Sequence, residues 1–192
     1  EQPAIGYPYK KDGEDYAVKY RCTAHKSFTQ DGGGANSFFG LQHIEEDAKE
    51  ICIVEGELDA LTLYECGYEN VVSVPGGAPI KVKDNKIDPK EDKKFSYLWE
   101  SEKLLQNVEK IILAVDNDAQ GSALAEEIAR RVGKPKCFMV EYPKGCKDGN
   151  DVLQNHGKET LHNLIINPKP WPIVGLYDVD HYDDKIEDLY EN

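Results

Sequence analysis

The chain has 192 residues and carries 36 acidic against 23 basic side chains, a formal net charge of −13. Such a length suits one ordinary domain with an appendage and a real hydrophobic core. The charge excludes a protein that grips nucleic acid over its whole face, because phosphate binding is driven by Lys and Arg displacing counterions.

In chain order, Tyr16-Ala17-Val18-Lys19-Tyr20-Arg21-Cys22 alternates at period two, Asp31-Gly32-Gly33-Gly34 reads as a turn, and Ser37-Phe38-Phe39-Gly40 follows. These residues predict a small antiparallel sheet of hairpins. From Glu50 the pattern changes to Ile51-Cys52-Ile53-Val54, a short apolar strand, then a helix over 57–66 with Gly67 as its stop. Val71-Val72-Ser73-Val74 is a second strand ending at Pro75-Gly76-Gly77, and a polar segment over 81–94 reads as a solvated loop before a helix over 95–106. Strand 110–115, helix 120–132 and strand 137–140 come next; Leu124, Ile128 and Val132 repeat every four residues, and Gly133 then Pro135 end that helix. Leu161, Leu164 and Ile165 mark a final helix stopped by Pro168, and residues 169–172 read as a stiff connector. Continuous apolar strands alternating with amphipathic helices predict an α/β fold with a parallel sheet covered on both faces.

The excess charge is uneven, at 0 over residues 1–44, −7 over 45–171 and −6 over 172–192, so any grip on nucleic acid is expected to be local. No apolar run reaches the roughly 18 to 20 residues that cross a bilayer, so no membrane partner is expected. The chain opens on Glu1 and is read as a piece of a longer protein. Five cysteines with no close pair at ligand spacing predict reduced thiols, and five scattered histidines argue against a histidine-held metal.

Chemistry in open parallel sheets gathers at the carboxyl ends of strands, and three such ends carry acids. The first is Glu55-Gly56-Glu57-Leu58-Asp59, the second Asp116-Asn117-Asp118, and the third Lys147-Asp148-Gly149-Asn150-Asp151. Each acid alone is better read as a helix N-cap. Together they suggest an open site for Mg²⁺, which takes oxygen ligands and keeps substrate phosphates in its shell. Lys19 and Arg21 share one face of their strand, expected to be the exposed one and able to meet a phosphate. Lys147 reads either as a phosphate contact or as the partner of a neighbouring acid. Gly32-Gly33-Gly34 lacks the sequence context of a phosphate loop and is read as a hairpin turn, whereas Gly76 and Gly77, at a strand's carboxyl end, are placed to line a nucleotide pocket or simply to turn the chain.

Glu55-Gly56 with Asp59 after one apolar strand, and Asp116-x-Asp118 with Gly121 after another about 60 residues on, resemble the Toprim domain of primases, topoisomerases and some nucleases. More narrowly, Val54 through Asp59, Ser73 through Pro79, Ile111 through Asp118 and Lys147-Asp148 through Leu153 resemble the primase part of Twinkle-type and phage primase-helicases. That resemblance implies a β-rich primase subdomain over 1–46, a Toprim domain over 47–170, and an acidic linker over 171–192 leading to a hexameric helicase in the same polypeptide. It implies DNA-templated synthesis of short RNA primers from ribonucleoside triphosphates on single-stranded DNA, with Mg²⁺ or Mn²⁺. Glu55, Asp116 and Asp118 match the family's essential acids, and Asp59, Asp148 and Asp151 match accessory ones that widen the metal site. The expected compartment is the cytoplasm of a bacterial or phage-infected cell, or an organellar matrix in a eukaryote. Alternatives are a catalytically silent adaptor that supports helicase assembly or DNA loading, and a Toprim nuclease.

Overall fold

The computed structural model describes residues 3–11, 13–31, 36–83 and 87–172. The expected turn at Gly32-Gly33-Gly34 and most of the acidic linker, from residue 173 on, lie outside the described residues. The N-terminal part is a three-stranded antiparallel sheet in the order β1 (Ala4–Lys11), β2 (Glu14–Cys22), β3 (Phe28–Gln30). The first hairpin turns through Gly13 at φ 86°, a left-handed backbone that costs glycine little. β1 and β2 place Tyr7 opposite Lys19 and Tyr9 opposite Ala17. Directly opposed residues share a sheet face, so Lys19 lies on the same face as the buried Tyr7, Tyr9 and Ala17. This corrects one expectation: Lys19 and Arg21 do share a face, but it is the inward one. The period of two shows which residues go together and cannot show which set faces out.

The main sheet has five strands in the order β5 (Val71–Ser73), β4 (Glu50–Val54), β6 (Lys110–Ala114), β7 (Cys137–Met139), β8 (Lys169–Pro170). The first four run parallel, and β8 pairs antiparallel with β7. The stretch read as a connector thus begins as an edge strand, a position that tolerates Pro170 because its outer edge needs no amide. Among the described residues the α-helices are α1 (Glu57–Glu65), the short α2 (Ser96–Glu100) leading into α3 (Glu102–Asn107), α4 (Ala119–Val132), α5 (Gly149–His156) and α6 (Lys158–Ile166). The helix expected over 95–106 is therefore broken at Ser101. Helix α5 was not foreseen; its eight residues hold few apolar side chains, and only Val152 is a buried side chain of size.

Strand alternation divides the core in two. Ile51, Ile53, Ile111 and Leu113 pack with Phe95, Leu98, Leu105, Leu124 and Ile128 on one face. Cys52, Val54, Ile112 and Ala114 pack with Ala60, Leu63, Val152, Leu161 and Ile165 on the other, and Tyr7 and Tyr9 join that second layer. The two sheets meet through Phe39, whose ring stands edge-on to Tyr7 at 6.0 Å and to Tyr9 at 5.5 Å, and which bridges to Ser73 with reciprocal backbone bonds of 3.0 and 3.1 Å. The polar segment after β5 is also not free at its ends. Glu127 of α4 accepts from the Lys83 backbone N–H, and Arg131, itself paired with Glu127, donates to Asp92 at 2.6 Å and covers the Phe95 ring at 3.9 Å. Among the described residues no cysteine is in a disulfide, and no helix is long and apolar enough to cross a membrane.

Candidate active site at the carboxyl ends of the strands

Three strand exits lead into three helix N-termini, and each helix is closed by an acid. The Gly56 N–H donates to Asp59 Oδ2 at 2.9 Å at the start of α1. The N–H groups of Gln120 and Gly121 both donate to Asp118 Oδ1 at 2.9 Å at the start of α4. The Asp151 N–H donates to Asp148 Oδ1 at 2.8 Å at the start of α5. Capping and clustering are thus not alternatives here: the same acids satisfy orphan amides and stand close enough to disturb one another. The turn between β6 and α4 is tight as well, because a Cβ on Gly121 would sit 2.0 Å from the Asp116 carbonyl oxygen.

The electrostatics locate the cluster. Burial, then the charges of Asp116 and Asp118, push the Glu55 carboxyl above its ordinary range, while the Ala78 backbone amide draws it partly back. Burial, then Asp116 and Asp148, raise Asp59 to about 7. Asp118 is held below the usual carboxylate range, chiefly by the Gly121 amide and also by Lys147, against a desolvation that acts the other way. Lys147 donates to Asp116 Oδ2 at 2.8 Å and to Asp118 Oδ2 at 3.2 Å, bonds that hold its ammonium charged well beyond the ordinary range. Of its two sequence readings, pairing with neighbouring acids is the one seen. Beneath these groups the Tyr142 hydroxyl donates to the Ala114 carbonyl at 3.1 Å. Asp151 accepts from the Lys147 backbone N–H at 2.8 Å.

Among the described residues no three His, Cys, Asp or Glu side chains are grouped to hold a metal ion as they stand. Their chemistry nevertheless fits a hard divalent cation. The donors are all carboxylate oxygens, and the buried Glu55 Oε2 has no hydrogen-bond partner, a costly state unless a cation or donor meets it. The Lys147 ammonium between Asp116 and Asp118 already marks a place where positive charge is stabilised. Glu55, Asp59, Asp116, Asp118 and Asp148 are brought to this one edge, and Asp151 is bonded to the backbone of Lys147 beside them.

The basic and glycine candidates flank the site. Gly76 and Gly77 are exposed, and a Cβ at either would meet nothing within 4 Å, so packing within the chain does not require glycine there. Lys19 Nζ is bonded to Glu57 Oε1 at 2.7 Å and to the Pro75 carbonyl at 3.3 Å, which puts it at the start of that same glycine loop. Arg21 lines a cavity of about 390 Å³ with Ile5, His25, Lys26 and Leu58. Glu57 and Tyr9 were not singled out from the sequence; an acid between Glu55 and Asp59 signalled Glu57, whereas nothing local distinguished Tyr9 from the other tyrosines.

The description "Toprim domain" matches residues 49–140. These residues are a Toprim domain. The Twinkle homolog protein, chloroplastic/mitochondrial, of Arabidopsis thaliana is 39% identical over 198 residues, covering 100% of this chain and 28% of its own length. The primase homolog protein of the same plant is 40% identical over 179 residues, covering 90% of this chain and 52% of its own length. The chain therefore spans about half or less of the curated relatives it matches. The crystal structure of the primase fragment of the bacteriophage T7 primase-helicase superposes with a TM-score of 0.65 at 27% identity, over 83% of this chain and 62% of that one. The matched residues 49–140 comprise strands β4 to β7 and the helices between them, with the β1–β3 sheet ahead of them.

Proposed function

We propose that this chain is the primase module of a replicative primase-helicase, with residues 1–46, 47–170 and 171–192 as priming subdomain, Toprim domain and linker. It would synthesise short RNA primers on a single-stranded DNA template from ribonucleoside triphosphates. The observation that carries the reading is the convergence of Glu55, Asp59, Asp116, Asp118 and Asp148 at one sheet edge, with a buried carboxylate oxygen left without a partner. The likeness to primases and primase homologues supports it. In the reaction a 3′ hydroxyl attacks the α-phosphorus of an incoming nucleotide, and pyrophosphate leaves.

Glu55, Asp116 and Asp118 would hold Mg²⁺ or Mn²⁺, with Asp59 and Asp148 in support. The cation would ease deprotonation of the hydroxyl and offset triphosphate charge. Glu55, in its ionised form, would accept the hydroxyl proton. Lys147 leaves the aspartate pair for the triphosphate, Gly76 and Gly77 let the nucleotide approach the backbone, and Lys19 and Arg21 meet phosphate from the neighbouring sheet. A helicase in the same polypeptide is the expected partner, and the name of the plant Twinkle homolog supports an organellar compartment. Purified chain given template, Mn²⁺ or Mg²⁺ and labelled ribonucleotides should yield short oligoribonucleotides. Asp116→Ala should lower the yield by about a hundredfold or more, the scale of several kcal/mol of lost charge stabilisation. Undiminished synthesis in that variant sinks the assignment.

One observation favours the silent adaptor instead: Lys147 already offsets one of the two charges of the Asp116–Asp118 pair. Calorimetric titration with Mn²⁺ separates the two readings, since an adaptor shows no binding that depends on Glu55 and Asp118.

A further inference from the structure

Glu57 sits in the first turn of α1, between Glu55 and Asp59, and is only 3% exposed. Its carboxylate is taken up by the other sheet. The Tyr9 hydroxyl donates to Glu57 Oε1 at 2.5 Å, and Lys19 Nζ donates to the same oxygen at 2.7 Å. Lys19 continues to the Pro75 carbonyl at 3.3 Å and stands 5.3 Å from the Phe28 ring centroid. One oxygen of α1 is thereby joined to β1 and β2, and through the ammonium to the loop that carries Gly76 and Gly77. The edge-to-face contacts of Phe39 with Tyr7 and Tyr9 hold the sheets together, each worth only about 0.5–1.5 kcal/mol beyond its buried area. Charge-assisted hydrogen bonds are directional. A buried ion pair adds little stability of its own, since desolvation offsets its attraction, and its best-attested role is to select one arrangement among several that packing would tolerate.

We infer that Glu57 is a positioning residue that sets the N-terminal sheet over the carboxylate site. It holds the Lys19 ammonium at the mouth of the Pro75-Gly76-Gly77 loop, so that the inward face of β2 meets the polyphosphate of a nucleoside triphosphate at a set distance from Asp116. The inference rests on the primer-synthesis reading for its substrate and on geometry alone for the link between the sheets.

Glu57→Gln keeps an acceptor for Tyr9 and removes the charge that Lys19 requires; Tyr9→Phe removes one bond and keeps the ion pair. For Glu57→Gln the nucleotide KM should rise about tenfold or more, the loss expected from one charged hydrogen bond, while kcat and the Mn²⁺ dissociation constant stay within about twofold. Amide hydrogen exchange at Gly76, Gly77 and Ala78 should quicken in the same variant, and Tyr9→Phe should show both effects more weakly. A lowered melting temperature with unchanged KM and unchanged exchange overturns the inference and leaves Glu57 structural. Lost Mn²⁺ binding with unchanged KM overturns it too, because Glu57 then belongs to the metal site. If the wild-type chain makes no primer, the function reading fails separately: equilibrium binding of a fluorescent nucleotide and the exchange rates still decide, and no change in either for Glu57→Gln refutes the link.

Discussion

Replacing Asp59 by Asn tests the electrostatic account of the site without relying on activity. In the folded chain the Asp59 carboxyl is raised from 3.8 to about 7, whereas in the unfolded chain it returns to its ordinary value. The native state therefore binds this proton more tightly than the unfolded state, and the group lowers stability as pH rises from about 4 to about 7, with the full penalty present above that range. The rise spans about three pH units, each worth about 1.4 kcal/mol, so the ceiling is about 4 kcal/mol. Relaxation and water access reduce such penalties, and about 2 kcal/mol is the realistic scale. Asparagine keeps a side-chain oxygen for the Gly56 N–H and carries no charge. Urea unfolding in EDTA should find Asp59→Asn more stable than wild type by about 2 kcal/mol at pH 8, with the difference gone near pH 4. Saturating Mg²⁺ should shrink the gain at pH 8, because the cation offsets the same repulsion. An equal gain at both pH values, or a loss at pH 8, would refute the reasoning, since neither can come from the burial and the repulsion that raise this carboxyl.

Gly121→Ala forces a methyl group to 2.0 Å from the Asp116 carbonyl oxygen. It should destabilise the chain by the upper part of the about 1–3 kcal/mol typical of overpacking and weaken Mn²⁺ binding, readable by denaturation and calorimetry. Arg131→Met removes the charge shared by Glu127 and Asp92, whose side chains are 1% and 14% exposed; because Glu127 keeps Arg130 and the Lys83 N–H, and Asp92 keeps the Trp99 indole N–H, the loss should fall below the about 3–5 kcal/mol of a wholly unpaired buried charge, and a loss under about 1 kcal/mol in urea unfolding would contradict the tethering of the polar segment to α4. Lys147→Met removes the ammonium that bridges Asp116 and Asp118. Because that side chain is half exposed, Mn²⁺ should bind only a few-fold more tightly, the scale of an exposed ion pair, and weaker binding would show that the lysine helps to assemble the site.

Much of the fold was legible because short apolar strands and fourfold-spaced helices carry their own periodicity. Ile51 through Val54, Ile111 through Ala114 and the Leu124–Ile128 repeat all lie where the pattern puts them. Helix α5 was missed because it is specified by its Asp148 cap and by packing of Val152, with too few apolar residues to show a period. The β8 pairing was missed because its partner, β7, lies about 30 residues earlier in the chain. In the site, the acids at the strand ends were readable from their positions, whereas the Lys147 bridge and the bond from its backbone N–H to Asp151 required the loops themselves.

By itself the sequence determined the alternation of strand and helix, the acids at three strand exits, and the sharing of one face by Lys19 and Arg21, since each follows from residue type and local period. Tertiary structure decided the rest. Which face of β2 turns inward depends on Tyr7 and Tyr9 meeting Phe39 across the sheets, and the partner of Lys19 is an acid 38 residues away. A net charge of −13 gave no hint that some of those acids would cap helices and raise one another's pKa. Charge is a sum over the chain, whereas desolvation and repulsion depend on distance, and only folding sets the distances.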